Sequence, residues 1–336
     1  MKIVRTDREL ECPIIDAGLR AMGADLVLLP DGVDEERLKA EVADADLLLM
    51  CYTPIPRAVI ETAPKLRGIV KYGVGIDAID IEAARECGVP VVNVPEYAEG
   101  TVAEGAFAMM IALAKKLVPM DREMQAEGWF WPTMPWRGLD IAGKTVGVVG
   151  TGRIGRSFAR MAGAGFRARV VGYDPGVSAD EMAAAGIEKI DDLHDLLGQS
   201  DFVSLHCVLR PETKGIIGRT EFAAMKPTAY LINSSRGALV DQAALLDALT
   251  GGEIAGAGLD VFANEPLARE GHQLSPLYGM ENVILLPHVT FFTEESMARL
   301  EEETLERCRE ALEGRPVLVK SFDPRLRAQE TGVRFT

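Results

Sequence analysis

The stretch 144–174, KTVGVVGTGRIGRSFARMAGAGFRARVVGYD, determines how the rest of the chain is interpreted. An apolar run over 145–149 predicts a strand, and the glycine turn 150–155, GTGRIG, follows it. Apolar residues at helical spacing come next, and a second apolar run over 169–173 leads to Asp174. A strand, a glycine turn, a helix, a second strand and an acidic residue occur in this order in dinucleotide-binding βαβ units.

The glycines and the acidic residue each have a physical role in such a unit. Gly150 allows the tight turn, Gly152 lets the backbone approach a pyrophosphate, and Gly155 lets the helix pack close to the strand. The N–H groups at the start of the helix favour phosphates. Asp174 would accept hydrogen bonds from the ribose hydroxyls and repel a 2′-phosphate, which favours NAD over NADP. Arg153 is either a solvated residue or a pyrophosphate contact.

The composition excludes several classes of protein. The chain has 336 residues, enough for two domains, and a formal net charge of −15. An acidic chain without a Lys/Arg-rich block is a poor nucleic-acid binder. The longest apolar stretch, 105–113, is too short to span a membrane, and the N-terminus shows no charged-then-apolar leader. We therefore expect a protein that handles small molecules, with neither nucleic acid nor membrane as partner.

The cysteines and histidines predict neither disulfides nor a metal site. The five cysteines are scattered without a CxxC spacing, and the four histidines are dispersed along the chain. These patterns argue against a disulfide framework and a zinc site, and they favour a reducing cytosol. The sequence therefore predicts a cytoplasmic protein without a bound metal.

Two series of alternating strands and helices divide the chain. The second series begins with the glycine turn. Such alternation predicts an α/β fold in which each domain is a doubly wound parallel sheet covered by helices on both faces. A charged amphipathic helix over 294–313 could return the chain to the first domain. We therefore predict a cofactor domain, 102–293, inserted into a substrate domain, 1–101 and 294–336, with a cleft between the two.

A long, mostly apolar helix is predicted over 101–128, where Thr101 and Glu104 have the spacing of a capping box. It would link the two domains. The aromatic segment 129–136, WFWPTMPW, follows it and needs cover. This apolar surface is either a shielded loop folded on its own domain, or a contact in a homodimer or a wall of the active site. We favour the second interpretation and expect a homodimer.

Three predicted strands of the second series are each followed by a polar residue that suits carbonyl reduction: Arg236, Glu265 and His288. Because ligands bind outside the carboxyl ends of the strands in open α/β sheets, these side chains should gather beside the cofactor. Arg236 would hold the substrate oxygens and the negative charge that develops there. His288 would act as the acid or the base, and Glu265 would fix its tautomer and favour its charged form.

Each of these residues also has a simpler interpretation. Arg236 could be a surface residue, Glu265 a turn residue before a proline, and His288 the cap of a strand. Their coincidence at one edge of one sheet favours the functional interpretation. His206 also ends a predicted strand and is the alternative acid. It has no acidic partner nearby in the sequence, so we interpret it as a structural residue.

Five motifs of the second series stand out together: GTGRIG with YD, SLHCVLRPET, LINSSRGALVD, GAGLDVFANEP and Pro287-His288. They resemble those of the NAD-dependent D-isomer-specific 2-hydroxyacid dehydrogenase family, which includes phosphoglycerate dehydrogenases, D-lactate dehydrogenases and C-terminal-binding proteins. The resemblance implies NAD as the cofactor, two Rossmann-like or flavodoxin-like domains, and catalytic roles for Arg236, Glu265 and His288. The cofactor contacts that it implies, besides the three glycines of the turn, are Thr101, Arg153, Ile154, Asp174, Cys207, Val208, Thr213, Ser234, Asp260 and His288.

The resemblance also implies a reaction and a site for its substrate. The reaction is hydride transfer between NAD(H) and C2 of a D-2-hydroxy acid or 2-oxo acid. The substrate would contact Arg236 and His288, and its carboxylate would bind an anion nest formed by the backbone of Val74 and Gly75. No arginine stands at 51–53, although Arg57 is close, which argues against a phosphorylated substrate.

Two alternatives stay open beside this reaction. One is an NAD(H)-sensing binding protein that resembles the C-terminal-binding corepressors, which share these motifs. The other is an enzyme that oxidises an inorganic anion such as phosphite, because it would use the same three side chains.

Overall fold

The structure is a computed structural model that describes all 336 residues. The residues form two compact units, which we describe separately. Unit 1 comprises Met1–Ala98 and Phe292–Thr336, and unit 2 comprises Glu99–Phe291. None of the helices is both long enough and apolar enough to span a membrane.

The secondary-structure elements are numbered in chain order. The strands are β1 (Lys2–Arg5), β2 (Asp25–Leu28), β3 (Leu47–Met50), β4 (Ile69–Lys71), β5 (Val91–Asn93), β6 (Thr145–Val149), β7 (Arg169–Tyr173), β8 (Glu188–Lys189), β9 (Phe202–Leu205), β10 (Tyr230–Asn233), β11 (Gly256–Leu259), β12 (Val283–Leu285), β13 (Val317–Val319) and β14 (Val333–Phe335). The α-helices are α1 (Pro13–Ala21), α2 (Glu35–Val42), α3 (Arg57–Glu61), α4 (Ile81–Glu86), α5 (Glu99–Ala114), α6 (Leu117–Glu127), α7 (Arg153–Arg160), α8 (Ala179–Ala184), α9 (Leu193–Gln199), α10 (Arg219–Ala224), α11 (Gln242–Gly251), α12 (Glu294–Leu312) and α13 (Pro324–Arg327). Single turns of 3-10 helix cover Met134–Trp136, Gly237–Leu239 and Ser275–Gly279, and a π-helical turn covers Met161–Gly165.

Unit 1 is built on a five-stranded parallel sheet. Its strand order is β2-β1-β3-β4-β5, the order of flavodoxin-like folds. The central strand β3, with the sequence LLLM, is buried along its whole length. A continuous apolar strand of this kind is expected where helices cover both faces of a parallel sheet.

The long helix α12 belongs to unit 1 and packs against α1. The residue before α1, Cys12, provides no side-chain cap. Instead, a carboxylate oxygen of Glu301 accepts hydrogen bonds from the N–H groups of Ile14 (2.7 Å) and Ile15 (3.0 Å). Glu301 is 3% exposed. Its buried carboxylate therefore caps the N-terminus of α1 in place of the residue that directly precedes the helix.

A side chain, that of Gln329, forms hydrogen bonds with the backbone of the edge strand β5 of unit 1. The amide of Gln329 accepts a hydrogen bond from the N–H of Val91 (2.7 Å) and donates one to its carbonyl oxygen (2.9 Å). These two bonds imitate one step of a strand ladder. They satisfy the backbone of Val91 at the edge of the sheet, where an exposed strand could pair with another chain.

Unit 2 is built on a seven-stranded parallel sheet with the order β12-β11-β10-β9-β6-β7-β8. The arrangement places β6, which precedes the glycine turn, at the point where the strand order reverses. Successive side chains of a strand face opposite sides, and β10 shows the consequence. Leu231 packs into one buried apolar cluster, whereas Tyr230 and Ile232 pack into another.

The predicted helix over 101–128 is two helices, and this part of the prediction is wrong. Helix α5 begins at Glu99, so Thr101 is not a cap and is buried inside the helix. The chain breaks at Lys116, which has a left-handed φ of 53°. A continuous helix would bring the ring of Pro119 against the carbonyl group of Lys115, four residues earlier, and this clash explains the break.

Replacing Glu301 with Ala should destabilise unit 1. The change leaves two N–H groups at the start of α1 without their acceptor, and the expected loss is about 1–3 kcal/mol of unfolding free energy. Chemical denaturation followed by circular dichroism measures it. The matched control is Glu302→Ala, which removes an exposed carboxylate from the same helix and should have little effect. Equal stability of the two variants would contradict the capping role.

Candidate active site

The glycine turn follows β6 and leads directly into α7. Gly150 has a left-handed φ of +90°, and a Cβ atom there would overlap the backbone nitrogen of Cys207. A Cβ atom on Gly155 would overlap the carbonyl oxygen of Gly150, so the helix could not approach the turn. By contrast, a Cβ atom on Gly152 would meet nothing within 4 Å. The first and third glycines therefore satisfy packing inside the protein, whereas the second faces open space.

Asp174 lies directly after β7 and is held beside the glycine turn. One carboxylate oxygen accepts a hydrogen bond from the N–H of Thr151 (2.9 Å), and the other accepts one from the N–H of Gly176 (3.0 Å). A further contact was missed in the sequence: the Nε of Arg156 donates to the carbonyl oxygen of Thr151 (2.8 Å). The turn is thus tied to both the strand end and its own helix.

Two observations show that these residues fit a bound dinucleotide. The hydroxyl of Ser234 lies in a residue that is 8% exposed, and it has no hydrogen-bond partner. Buried polar groups are nearly always paired, so this hydroxyl is available to a ligand. In addition, the residue before α7, Gly152, provides no side-chain cap, which leaves the first N–H groups of the helix accessible for phosphate oxygens.

The other predicted cofactor contacts lie in the same unit. Thr213 closes the loop after β9, because its hydroxyl donates to the carbonyl oxygen of Val208 (2.7 Å). The carbonyl oxygen of Cys207 accepts a hydrogen bond from the hydroxyl of Ser235 (2.7 Å), which joins the ends of β9 and β10. Burial raises the pKa of the Cys207 thiol to about 11, so the thiol stays protonated near neutral pH. Thr101 lies in α5, and Arg153 and Ile154 open α7.

Glu265 and His288 are paired. Nδ1 of His288 lies 2.9 Å from one carboxylate oxygen of Glu265, and the other oxygen accepts a hydrogen bond from the N–H of Phe262 (2.9 Å). Burial raises the pKa of Glu265, but the hydrogen bond and charge of His288 outweigh it, and the net effect is a lowered pKa. An ionised Glu265 requires Nδ1 to be the donor, which leaves Nε2 of His288 for exchange of a proton with a substrate.

The backbone of His288 is held in an uncommon conformation by Asp260. His288 has a left-handed φ of +56°, and its N–H donates to the carbonyl oxygen of Asp260 (2.8 Å). The carboxylate of Asp260 accepts from the N–H of Val289 (2.8 Å) and from the N–H (3.1 Å) and hydroxyl (2.6 Å) of Thr290. Asp260 was predicted as a cofactor contact. Its carboxylate is fully buried and holds the segment that carries His288.

The loops that carry Arg236 and Glu265 touch at Gly237. A Cβ atom on Gly237 would overlap the backbone of Phe262 and Ala263. Within the first loop, the side chain of Asn233 accepts from the N–H of Ser235 (3.0 Å) and donates to the carbonyl oxygen of Arg236 (2.9 Å). Neither Gly237 nor Asn233 was predicted as a site residue. The only signal in the sequence is their position within three residues of Arg236, after a predicted strand.

His206 is not suited to be the acid. Its Nε2 lies 2.9 Å from the hydroxyl of Ser204, and its ring packs at 5.0 Å against the ring of Phe158. Burial lowers the pKa of His206 to about 3, so the imidazole is neutral near pH 7. The interpretation of His206 as a structural residue agrees with this environment. No group of three or more His, Cys, Asp or Glu side chains is arranged to hold a metal ion.

The predicted anion nest lies in unit 1, directly after β4. Gly73 has a φ of +148°, and its carbonyl oxygen accepts a hydrogen bond from the N–H of Val94 (3.1 Å). The side-chain amide of Asn93 donates to the carbonyl oxygen of Val74 (2.6 Å). The carbonyl groups of the loop are thereby engaged by the protein. The N–H groups of Val74 and Gly75 donate to no protein acceptor, as expected of a nest.

Unit 2 has the features of a dinucleotide-binding domain: the reversal point in its strand order, the glycine turn and the held carboxylate. Comparison with known proteins gives the family. The chain belongs to the D-isomer specific 2-hydroxyacid dehydrogenase family, because residues 107–290 match the model of its NAD binding domain. The match agrees with the predicted family and with NAD as its cofactor.

Relatives and solved structures extend this similarity over most of the chain. A glyoxylate reductase from Korarchaeum cryptofilum is 43% identical over 268 residues, 79% of each chain. A D-3-phosphoglycerate dehydrogenase from Mycobacterium tuberculosis is 41% identical over 285 residues, 84% of this chain, but this match spans only 52% of that protein. A D-lactate dehydrogenase from Aquifex aeolicus, solved with NAD and lactic acid, has a TM-score of 0.83 at 29% identity and covers 93% of this chain and 96% of its own. The predicted fold class is thereby confirmed.

Replacing Gly237 with Ala should disturb both loops that meet there. The added methyl group would overlap the backbone of Phe262, so the loops must separate, and the expected loss of unfolding free energy is about 2 kcal/mol or more. Thermal denaturation measures it. Gly279→Ala is the matched control in the same unit, because a Cβ atom there meets nothing within 4 Å. If both variants unfold at the wild-type temperature, the contact does not constrain the loops.

Proposed function

We propose that the chain is an NAD-dependent dehydrogenase that interconverts a D-2-hydroxy acid and its 2-oxo acid. The observation that carries the proposal is the pair formed by Glu265 and His288, with 2.9 Å between the carboxylate oxygen and Nδ1. Glu265 and His288 follow β11 and β12, which are neighbouring strands of the seven-stranded sheet. Arg236 and the glycine turn follow two other strands of the same sheet, β10 and β6. No observation favours a binding protein or the oxidation of an inorganic anion as a second candidate.

The three side chains divide the chemistry of carbonyl reduction among them. When bound, NAD(H) supplies or accepts the hydride. Negative charge develops on the substrate oxygen, where the guanidinium of Arg236 would orient and stabilise it. Nε2 of His288 would donate the proton in reduction and remove it in oxidation. Glu265 would keep Nδ1 protonated and stabilise the imidazolium form.

The cofactor would be held by residues of unit 2. Gly152 and the start of α7 offer N–H groups to the pyrophosphate, and Asp174 would accept hydrogen bonds from the ribose hydroxyls. The hydroxyl of Ser234, which has no partner in the protein, supports this arrangement. The remaining contacts that we propose are Gly150, Gly155, Arg153, Ile154, Thr101, Cys207, Val208, Thr213, Asp260 and His288.

The substrate is proposed to be a small 2-oxo acid without a phosphate group, and its carboxylate would bind the N–H groups of Val74 and Gly75. Arg57, the arginine near 51–53, is engaged in ion pairs with Glu86 (2.6 Å) and Glu61 (3.4 Å). A phosphate would therefore have to compete with two carboxylates for this guanidinium. The similarity to a glyoxylate reductase over 79% of both chains also supports a small substrate.

A homodimer is part of the proposal, because unit 2 exposes a large apolar surface. Trp129 and Trp131 are each 76% exposed and Met134 is 68% exposed. Helix α6, directly before them, has no buried residue. An exposed patch of this kind usually marks a contact surface, and a second copy of the chain would cover it. A cytoplasmic location is also proposed from the scattered free cysteines, and cell fractionation tests it.

The proposed reaction is tested with purified protein, NADH and a panel of 2-oxo acids that includes a phosphorylated member. We expect oxidation of NADH with small unphosphorylated acids. His288→Gln should lower kcat by about 10²–10⁴-fold, and Arg236→Gln should lower kcat/KM by about 10²–10³-fold, while both variants still bind NADH. His194→Gln, which changes an exposed histidine of unit 2, is the control. Tight NADH binding without turnover of any acid would refute the proposal.

The proposed dimer is tested by light scattering after size exclusion. The wild type should elute with twice the mass of the chain. Trp131→Glu should shift it toward the monomer, because a carboxylate would be buried in the interface without a partner. Phe322→Glu changes an aromatic residue of unit 1 that is 71% exposed and serves as control. A monomeric wild type at micromolar concentration would contradict this part of the proposal.

A further inference from the structure

Lys71 is a buried lysine that the proposed mechanism does not use. It is the last residue of β4 and is 5% exposed. Its ammonium group donates to the carbonyl oxygen of Cys51, lies 3.3 Å from the sulfur of the same residue, and faces the ring of Tyr52 at 5.5 Å. These partners are a carbonyl group, a thiol and an aromatic ring, and none of them carries a full negative charge near neutral pH, because burial raises the pKa of the Cys51 thiol.

The nearby carboxylate of Asp7 is committed to other donors. Asp7 is 1% exposed, and its oxygens accept hydrogen bonds from the N–H groups of Cys51 (2.8 Å), Tyr52 (3.0 Å) and Thr53 (3.1 Å). The hydroxyl of Thr53 adds another at 2.7 Å. Asp7 therefore holds the backbone of this loop and makes no ion pair with Lys71. A buried ammonium without a carboxylate partner is unfavourable, which raises the question of which anion compensates it.

The ammonium lies directly against Gly73, the residue before the anion nest formed by Val74 and Gly75. A Cβ atom on Gly73 would be 3.0 Å from Nζ and 3.1 Å from Cε of Lys71. In the next two residues of the same loop, Val74 and Gly75, the N–H groups have no acceptor in the protein. Val74 is 41% exposed, so a ligand can reach the nest, whereas Lys71 is covered. The positive charge of Lys71 and the open N–H groups of Val74 and Gly75 therefore lie within one segment of five residues, 71–75.

We propose that Lys71 is a positioning residue that supplies the positive charge behind this nest and thereby selects substrates that carry a carboxylate. The inference rests on the proposed function and names the group of the substrate that the nest recognises. Lys71 does not touch the substrate. It acts through the electrostatic field of its ammonium group. Because the group is buried, water screens this field only weakly. Binding of the carboxylate in turn brings an anion near the buried ammonium, which makes no ion pair in the protein.

The test compares a carboxylate substrate with its neutral amide. For the wild type, kcat/KM is measured with the 2-oxo acid that it reduces best and with the corresponding 2-oxo amide. Lys71→Met, which retains the length but not the charge, should lower the acid-to-amide ratio on the order of tenfold, mainly through KM for the acid. Lys71→Arg should restore most of the ratio. The Kd for NADH should stay unchanged in all variants.

Each outcome decides between a role in selection and a purely structural role. If Lys71→Met lowers turnover of the acid and the amide equally, Lys71 only supports the loop, and the inference is wrong although the proposed function stands. If the wild type reduces no 2-oxo acid, the proposed function fails first and the inference fails with it. If Lys71→Met does not fold, Lys71→Gln, which keeps a donor for Cys51, takes its place and must lower the same ratio.

Discussion

The candidate active site depends on one buried carboxylate, that of Asp260 at the end of β11. Removing an ionised carboxylate from water costs several kcal/mol unless hydrogen bonds replace the water. Here the replacement comes from Val289 and Thr290, which follow the neighbouring strand β12. The bond that the N–H of His288 makes to the carbonyl oxygen of Asp260 adds to the constraint. The left-handed backbone of His288, and hence the direction in which its ring meets Glu265, follows from the need to satisfy this carboxylate.

Unit 1 uses the same device. Asp7 follows β1 and has a left-handed φ of 57°. Its buried carboxylate accepts hydrogen bonds from the N–H groups of residues 51–53, which follow the neighbouring strand β3. In both units a buried aspartate at one strand end therefore fixes the loop after the next strand of the sheet. Parallel sheets favour this arrangement, because their strands end at a common edge where short polar side chains can span adjacent loops. The two units thus share a way of making loops rigid as well as a topology.

Residues whose role depends on local order could be predicted from the sequence, and residues whose role depends on packing could not. The glycine turn, Asp174 and the polar residues after the strands of unit 2 are read from spacing along the chain. The close approach of Gly237 to the backbone of Phe262 joins positions 25 residues apart, and Glu301 caps a helix that begins almost 300 residues earlier. Similarly, the break at Lys116 follows from Pro119 but was hidden by the apolar pattern on either side of it. No periodicity records such contacts between distant segments.

The net charge of −15 makes the local arrangement of positive groups more important. The overall field of an acidic protein opposes the approach of an anionic 2-oxo acid, although at physiological ionic strength screening limits this repulsion to a Debye length of about 8 Å. Within that distance, only nearby groups determine whether a carboxylate binds. In unit 1 these groups are the open N–H groups of Val74 and Gly75, and the inference adds the ammonium of Lys71. The N–H groups are held by backbone geometry and the ammonium by burial, so little conformational entropy is lost when an anion binds. A few fixed positive groups in an acidic protein therefore suffice to bind a small anion while the rest of the surface repels it.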